Sequence, residues 1–319
     1  MITLAELEAA ARNVYAAMLP TPQYAWPLVA RRVGRAVWVK HENHTPTGAF
    51  KVRGGLNLLA QLTARVPRPA GLISATRGNH GQSIAYASRL YGMRCVIVVP
   101  HGNSTDKNEA MRAFGAELIE YGRDFDEARE HAQALAAEQQ LHFVGPFDRE
   151  LVAGVGTYAV ELFRAVADLD TVYVPIGCGS GICGLISARD ALGLSTRIVG
   201  VVSANANCYA QSFAARRPIE TRTADTLADG MAVRVPVPAA LEIICAGAAR
   251  VVEVTDVEVE EAIRALYSDT HQVAEGAGAA PLAALLKERE RAGKRVAIIL
   301  TGGNIDRDVY ARVLAGSWT

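Results

Sequence analysis

The chain is expected to be an α/β protein whose parallel sheets are covered by helices on both faces. Two observations predict this. Short apolar segments of strand length alternate along the chain with segments of helical apolar rhythm. Strands such as Cys95-Val-Ile-Val-Val99 and Ala297-Ile-Ile-Leu300 are apolar on both faces, as parallel strands buried under helices must be.

In chain order, Leu4, Leu7, Val14 and Met18 give residues 4–18 a helical apolar face. Pro20, Pro22 and Pro27 then force an extended passage. Strands are expected at 37–40, 71–75, 94–100, 117–121, 141–144, 171–176, 197–202, 251–254 and 296–300. Helices are expected between them, around 49–62, 80–91, 107–114, 125–139, 154–167, 181–191, 256–268 and 279–290. No repeat, low-complexity segment or flexible linker interrupts the pattern.

At 319 residues, 50% apolar and 21% charged, the chain can bury a real core in one large or two modest domains. Lys plus Arg and Asp plus Glu both total 33, and no long single-sign run suggests nucleic acid or an anionic membrane, so a small-molecule ligand is expected. The opening Met1-Ile-Thr-Leu-Ala-Glu-Leu-Glu is acidic where a signal peptide would be basic, and no apolar run reaches membrane-spanning length. A cytoplasmic enzyme or binder is the expectation. Cys95, Cys178, Cys183, Cys208 and Cys245 form no Cys-x-x-Cys pair, which leaves reduced thiols rather than a disulfide framework or zinc site. His41 and His44 lack the spacing of a zinc-binding helix.

Four stretches carry chemistry. In His41-Glu-Asn-His-Thr-Pro-Thr-Gly-Ala-Phe-Lys51-Val-Arg-Gly-Gly55, a strand gives way to a helix at Lys51. A lysine buried at a pocket floor turns neutral and becomes a nucleophile towards aldehydes, whereas a solvated helix-start lysine would do nothing. Arg77-Gly78-Asn79-His80-Gly81 is a strand-to-helix turn whose backbone N–H groups suit a carboxylate, although an ordinary N-cap would give the same pattern. Gly177-Cys-Gly-Ser-Gly-Ile-Cys-Gly184 follows a strand and opens a helix, forming a candidate phosphate cup. Ile182 stands where a dinucleotide fingerprint needs its third glycine, and the next strand, Ile198 to Val202, ends without the ribose-binding acid, so a monophosphate is the better guest. Leu300-Thr301-Gly-Gly-Asn-Ile-Asp306 puts the Thr301 hydroxyl at a strand's carboxyl end. Asp225-Thr-Leu-Ala-Asp229-Gly-Met and Ala274-Glu275-Gly-Ala-Gly278 are two further turns near the same edge, with plain turn chemistry as the equal alternative.

Together these motifs resemble the fold-type-II pyridoxal phosphate (PLP) enzymes of the threonine/serine dehydratase and serine racemase group, in order and spacing over essentially the whole chain. The resemblance implies two open-sheet α/β domains of tryptophan synthase β-like type, a large one from 1–65 and 146–319 and a small mobile one from 66–145, with the cofactor in the cleft. It implies that Lys51 forms the Schiff base with the cofactor and then acts as base at the substrate Cα. Phe50 would lie against the ring, Asn79 would donate to its phenolic oxygen, Gly177, Cys178, Gly179, Ser180 and Gly181 would hold the phosphate, and Thr301 would face the pyridine nitrogen. Thr76, Arg77, Gly78 and His80 would hold the substrate carboxylate. A hydroxyl at the ring nitrogen makes a weaker electron sink than a carboxylate would, which favours β-elimination from a β-hydroxy amino acid, giving a 2-oxo acid and ammonia. A homodimer is the assembly such enzymes commonly form.

Departures from the group bear on the substrate. Many members read Ser-Ser-Gly-Asn-His where this chain reads Thr76-Arg77-Gly78-Asn79-His80. Arginine is too basic to replace the second serine as a racemase acid/base, so racemisation is not expected. Arg77 could clamp a carboxylate or turn to solvent, which leaves open 3-phenylserine or 3-hydroxyaspartate beside threonine and serine. Val202, Ala206 and Cys208 occupy the region where metal-activated relatives carry acidic ligands, so no metal is expected. Little chain follows Asn304, which leaves no space for an appended regulatory domain and fits a catabolic or specialised enzyme. The rivals are a β-replacement synthase on the same scaffold, a non-catalytic small-molecule binder and, more distantly, a nucleotide-binding dehydrogenase.

Overall fold

The computed structural model describes residues 2–316. Its strands are β1 Gln23–Ala25, β2 Ala36–His41, β3 Gly71–Ala75, β4 Arg94–Val99, β5 Glu117–Glu120, β6 His142–Phe143, β7 Thr171–Pro175, β8 Arg197–Ser203, β9 Arg250–Val254 and β10 Arg295–Leu300. They form a six-stranded sheet in the order β1-β2-β10-β7-β8-β9 and a four-stranded sheet in the order β5-β4-β3-β6. All pairings are parallel except β1 with β2. The α/β class therefore holds, with the four-stranded sheet built wholly from residues 71–143.

The helices are α1 Leu4–Tyr15, α2 Pro27–Val33, α3 Lys51–Thr63, α4 Asn79–Leu90, α5 Thr105–Ala113, α6 Phe125–Glu138 and α7 Arg149–Ala165, then α8 Ser180–Ala191, α9 Cys208–Ala215, α10 Pro238–Gly247, α11 Asp256–Thr270, α12 Gly276–Lys287 and α13 Arg307–Ala315. One face of the larger sheet is packed by α1, α7, α8 and α10, the other by α2, α11 and α12. The smaller sheet lies between α3, α4 and α5 on one face and α6 on the other. No helix among the described residues is long and apolar enough to cross a membrane.

Every expected strand is present to within two residues, but the proline-rich passage also holds β1, whose Gln23 pairs with Lys40 at the sheet edge. Four helices were not expected. Two of them, α2 and α10, open on Pro27 and Pro238, and proline at the first helical position marks a start where the sequence suggested a break. The other two, α9 and α13, have only 8 and 9 residues. Helix α7 begins at Arg149 rather than 154 because the Asp148 side chain caps it, accepting from Glu150 N at 2.8 Å.

Helix α3 sits where the two sheet units meet. It is clasped between α7 and α4 at backbone distance: a Cβ added at Gly154 would lie 2.3 Å from Arg53 O, and one at Gly55 2.4 Å from Ser83 Oγ. Its apolar face, with Leu56, Leu59 and Leu62, packs with Leu72 and Ile84. The segments leaving β2, β3, β7 and β10 at their carboxyl ends all border one cavity, which is where open α/β sheets bind ligands.

Candidate active site

Lys51 is the first residue of α3, and the loop before it is stitched to the segment after β10. Phe50 N donates to Thr301 O at 2.9 Å, Ala49 bridges Gly302, and Gly303 N donates to Gly48 O at 2.9 Å. Within the loop, Thr45 Oγ1 donates to Ala49 O at 2.8 Å and accepts from Ala49 N at 2.9 Å. These bonds fix the point from which the lysine projects. Part of its side chain faces the cavity, yet protein surrounds the amine, and burial lowers its pKa from the ordinary lysine value against the opposing pull of a charged Glu275. Its Nζ donates to Ser180 Oγ at 3.1 Å and lies 5.2 Å from the Phe50 ring centre. A lysine held this way is easily neutralised, which makes it a nucleophile.

Ser180 opens α8, directly after the glycine turn that follows β7. Gly179 sits at φ +97°, in the left-handed region that favours glycine. A Cβ at Gly177 would lie 2.2 Å from Gly230 O, so the 229–231 turn packs against the bare backbone there. Backbone N–H groups at this helix start have no intrahelical partner and attract an anion. The cup is backed by Tyr158, whose hydroxyl donates to Gly181 O at 2.9 Å, and by Tyr209, which donates to Cys178 O at 3.3 Å. Burial raises the Cys178 thiol, so that side chain stays protonated.

Across the cavity, Asn79 opens α4. The Thr76 hydroxyl accepts from Gly78 N at 3.0 Å and Gly81 N at 3.3 Å, holding this turn together. His80 is buried, its Nε2 lacks a hydrogen-bond partner, and burial and then the Lys51 charge push its pKa down to about 3. It is a neutral imidazole at any physiological pH. Arg77 is exposed at the rim. Thr301 is buried at the opposite wall. Every residue singled out from the four motifs lines the same cavity of about 640 Å³.

The sequence placed the turns carrying Asp229 and Glu275 near the site edge but missed Lys107 and the charged back wall that the three form. Lys107 on α5 pairs with Asp229 and lies 4.0 Å from Glu275, the residue just before α12. Its stem runs so close to Gly78 that a Cβ there would be 2.4 Å from Lys107 Cδ. Burial pushes the Glu275 carboxyl up to about 7, against the pull of the Lys107 ammonium. Burial alone would lower Lys107, but Asp229 and Glu275 together raise it above its ordinary value. At the mouth, Arg129 and Arg234 share Asp126. One signal was available: Lys107 sits in the first turn of its helix, where the dipole disfavours a cation unless something else demands it.

The family model described as "Pyridoxal-phosphate dependent enzyme" matches residues 14–302. The chain belongs to this family of PLP-dependent enzymes. It is 33% identical over 315 residues to the L-threonine ammonia-lyase of Thermotoga maritima, covering 98% of this chain and 78% of that one. It is likewise 33% identical over 312 residues to the catabolic L-threonine dehydratase of Staphylococcus aureus, covering 96% of this chain and 90% of the other. Among solved structures, the processed form of threonine deaminase isoform 2 from Solanum lycopersicum superposes with a TM-score of 0.91 at 26% identity, covering 99% of this chain and 94% of that one. The PLP enzyme is a lyase by these relationships.

The residues present fit PLP. An amine whose pKa burial lowers stands 3.1 Å from the serine that opens the anion cup, so an aldehyde and a phosphate on one small molecule can be met together. A Cβ on Gly181 would sit in ordinary contact with the Phe50 ring, 3.5 Å from Cε2, so the cup lies directly beside that aromatic ring. Thr301, a hydroxyl and not a carboxylate, is buried in the wall of the same cavity.

Proposed function

We propose that this PLP-dependent lyase is a dehydratase acting on a β-hydroxy amino acid of the threonine/serine type. It would remove the Cα proton and the β-hydroxyl, release an enamine, and so yield a 2-oxo acid and ammonium after hydrolysis. The observation that carries this reading is the burial of Lys51 beside the α8 anion cup, with a threonine hydroxyl rather than a carboxylate across the cavity. Bound PLP supplies an aldehyde for the substrate amine and a ring that accepts electron density from Cα.

The chain's own residues do the rest. The amides of Gly177 to Gly181 would hold the phosphate, and Phe50 would support one face of the ring. Asn79 would donate to the ring hydroxyl oxygen, and Thr301 would meet the ring nitrogen without protonating it. Lys51, once free, takes the Cα proton through Nζ, and burial favours the neutral amine that a base needs by lowering its pKa from the ordinary lysine value. The turn from Thr76 to His80, with N–H groups at the start of α4, holds the substrate carboxylate. Arg77 at the rim selects among β-substituents. The unit of residues 66–145 closes over the cleft, which excludes water from the proton transfer. We take the working form to be a cytoplasmic homodimer, which sedimentation of the purified protein tests.

Lys51→Ala decides the reading. The variant should lose the visible absorbance of the bound cofactor and release no ammonia from threonine, serine, 3-phenylserine or 3-hydroxyaspartate, whichever of these the wild type consumes. Ammonia release at the wild-type rate by the variant would sink it.

A further inference from the structure

The carboxamide of Asn79 is held at both ends. Its Oδ1 accepts from Asn304 Nδ2 at 2.9 Å, and its Nδ2 donates to Glu275 Oε1 at 2.7 Å. Asn304 Nδ2 also donates to the backbone carbonyl of Thr47 at 2.8 Å. Turning the Asn304 amide round would set its oxygen against that carbonyl, so the backbone dictates which way Asn304 faces. Asn304 then dictates which way Asn79 faces. The chain of donors ends at Glu275, which has to be an acceptor. An amide nitrogen carries two hydrogens, and one satisfies Glu275, which leaves the other for a ligand in the cavity that Asn79 lines.

Glu275 is a costly residue to place here. It is 2% exposed, its Oε2 has no hydrogen-bond partner, and the lysine nearest that oxygen is at 4.0 Å, too far for a hydrogen bond. The charged groups around it are Lys107, Asp229 and Lys51. A carboxylate whose one close hydrogen bond among the described residues goes to an asparagine of the cavity wall is poorly explained as fold support, because an apolar side chain there would remove an unpaired buried oxygen. It is well explained as an orienting group.

We infer that Glu275 is a positioning residue, which with Asn304 locks the Asn79 carboxamide so that its free N–H faces the ring hydroxyl oxygen of bound PLP. The inference rests on the proposed dehydratase function. The elements involved come from both sheets: Asn79 follows β3 of the smaller sheet, whereas Glu275 and Asn304 flank β10 of the larger. The lock therefore forms only when the two units are seated against each other.

The test uses the dissociation constant for PLP, measured by titrating the cofactor-free protein, and the band shape of the loaded enzyme without substrate. Glu275→Ala should weaken PLP binding about tenfold, as expected for losing one oriented charge-supported hydrogen bond, and shift the cofactor band. Glu275→Gln keeps an acceptor oxygen at the same place and should bind PLP within about threefold of the wild type. Asn304→Asp, a second handle should Glu275→Ala not fold, puts an acceptor against Asn79 Oδ1, turns the carboxamide round and should reproduce the band shift. Wild-type PLP affinity and band in Glu275→Ala, or a Glu275→Gln as impaired as Glu275→Ala, would overturn the inference. Lys51→Ala measured alongside separates the two failures: ammonia release without Lys51 defeats the proposed function, whereas an inactive Lys51→Ala beside an unaffected Glu275→Ala defeats this inference alone.

Discussion

Two buried ionic clusters flank the lysine, and they are built in opposite ways. Two residues after Lys51, Arg53 is wholly buried and forks onto Glu42 at 2.7 and 3.0 Å and onto Glu161 at 2.6 and 2.9 Å. The Thr157 hydroxyl takes the fifth guanidinium hydrogen at 3.0 Å, and the Thr21 hydroxyl shares an Nη2 hydrogen at 3.2 Å. Lys40 adds a second cation, donating to Glu161 at 2.5 Å and to Thr21 O at 2.6 Å. Two cations face two carboxylates, and the elements joined, β2, α3 and α7, lie around the larger sheet and the lysine's own helix. The cluster of Lys107, Asp229 and Glu275 sets one cation against two carboxylates, leaves Glu275 Oε2 without a hydrogen bond, and joins the two sheet units across the cavity. A neutral, saturated network inside one body anchors a helix end, whereas an unsaturated one between bodies can respond to ligand, proton and movement.

The largest effect is expected from breaking the saturated cluster. Arg53→Met strands Glu42 and Glu161 as uncompensated buried carboxylates, which should lower the unfolding free energy by about 3–5 kcal/mol in denaturant titrations. A loss below about 1 kcal/mol would mean that water or rearrangement can rescue those carboxylates, and the contrast between the clusters would fail.

A smaller effect, with a sign set by pH, is expected from the open cluster. Glu275 has an ordinary value of 4.5 and is raised to about 7 in the folded protein. Between those values the folded state holds the proton and the unfolded state has released it, so this group's contribution to stability is greatest at low pH and falls as pH rises from about 4.5 to about 7. Lys107 does not offset this, since its pKa is raised above its ordinary value of 10.5 and it stays charged throughout that window. Glu275→Gln removes the slope. Measured by thermal or denaturant unfolding, the variant should gain on the wild type by on the order of 2 kcal/mol between pH 5 and pH 7.5. A difference that stays flat with pH, or widens in the other direction, would show that Glu275 is ionised in both states.

The same contrast explains what the sequence could tell. Strands buried on both faces and glycine turns after them are local patterns, so the α/β class, Lys51, and the turns at 76–80 and 177–181 were legible, whereas the division into two sheets came only from the family resemblance. Each of those site residues lies in the segment that its own strand feeds into the cavity. Lys107, Asp229 and Glu275 come from three separate stretches whose meeting depends on how one unit seats on the other, and no periodicity encodes that. Asp229 and Glu275 were visible only as members of small-residue turns. The helices starting at Pro27 and Pro238 were hidden for a different reason, because proline has one geometry and two local meanings, a break or a first turn.

The smallest effect should come from a third pair that also crosses the cleft. Arg234, on the loop before α10, meets Asp126 at the start of α6. Its geometry resembles the Lys107 contact with Asp229, and the two carboxylates are similarly exposed, 31% for Asp126 and 35% for Asp229, but the cations differ: Arg234 is 42% exposed and Lys107 only 7%. Water solvates both partners when the contact opens, so little free energy depends on whether it is made. Asp126 also keeps Arg129 at 3.0 Å when Arg234 is gone. Arg234→Ala should therefore change the unfolding free energy by less than about 0.5 kcal/mol, and whatever change is seen should fade in high salt. If it instead matched the pH-dependent effect of Glu275→Gln, crossing the cleft rather than being buried in it would be what makes a charged contact matter here, and the distinction drawn between the clusters would have to be rebuilt on position alone.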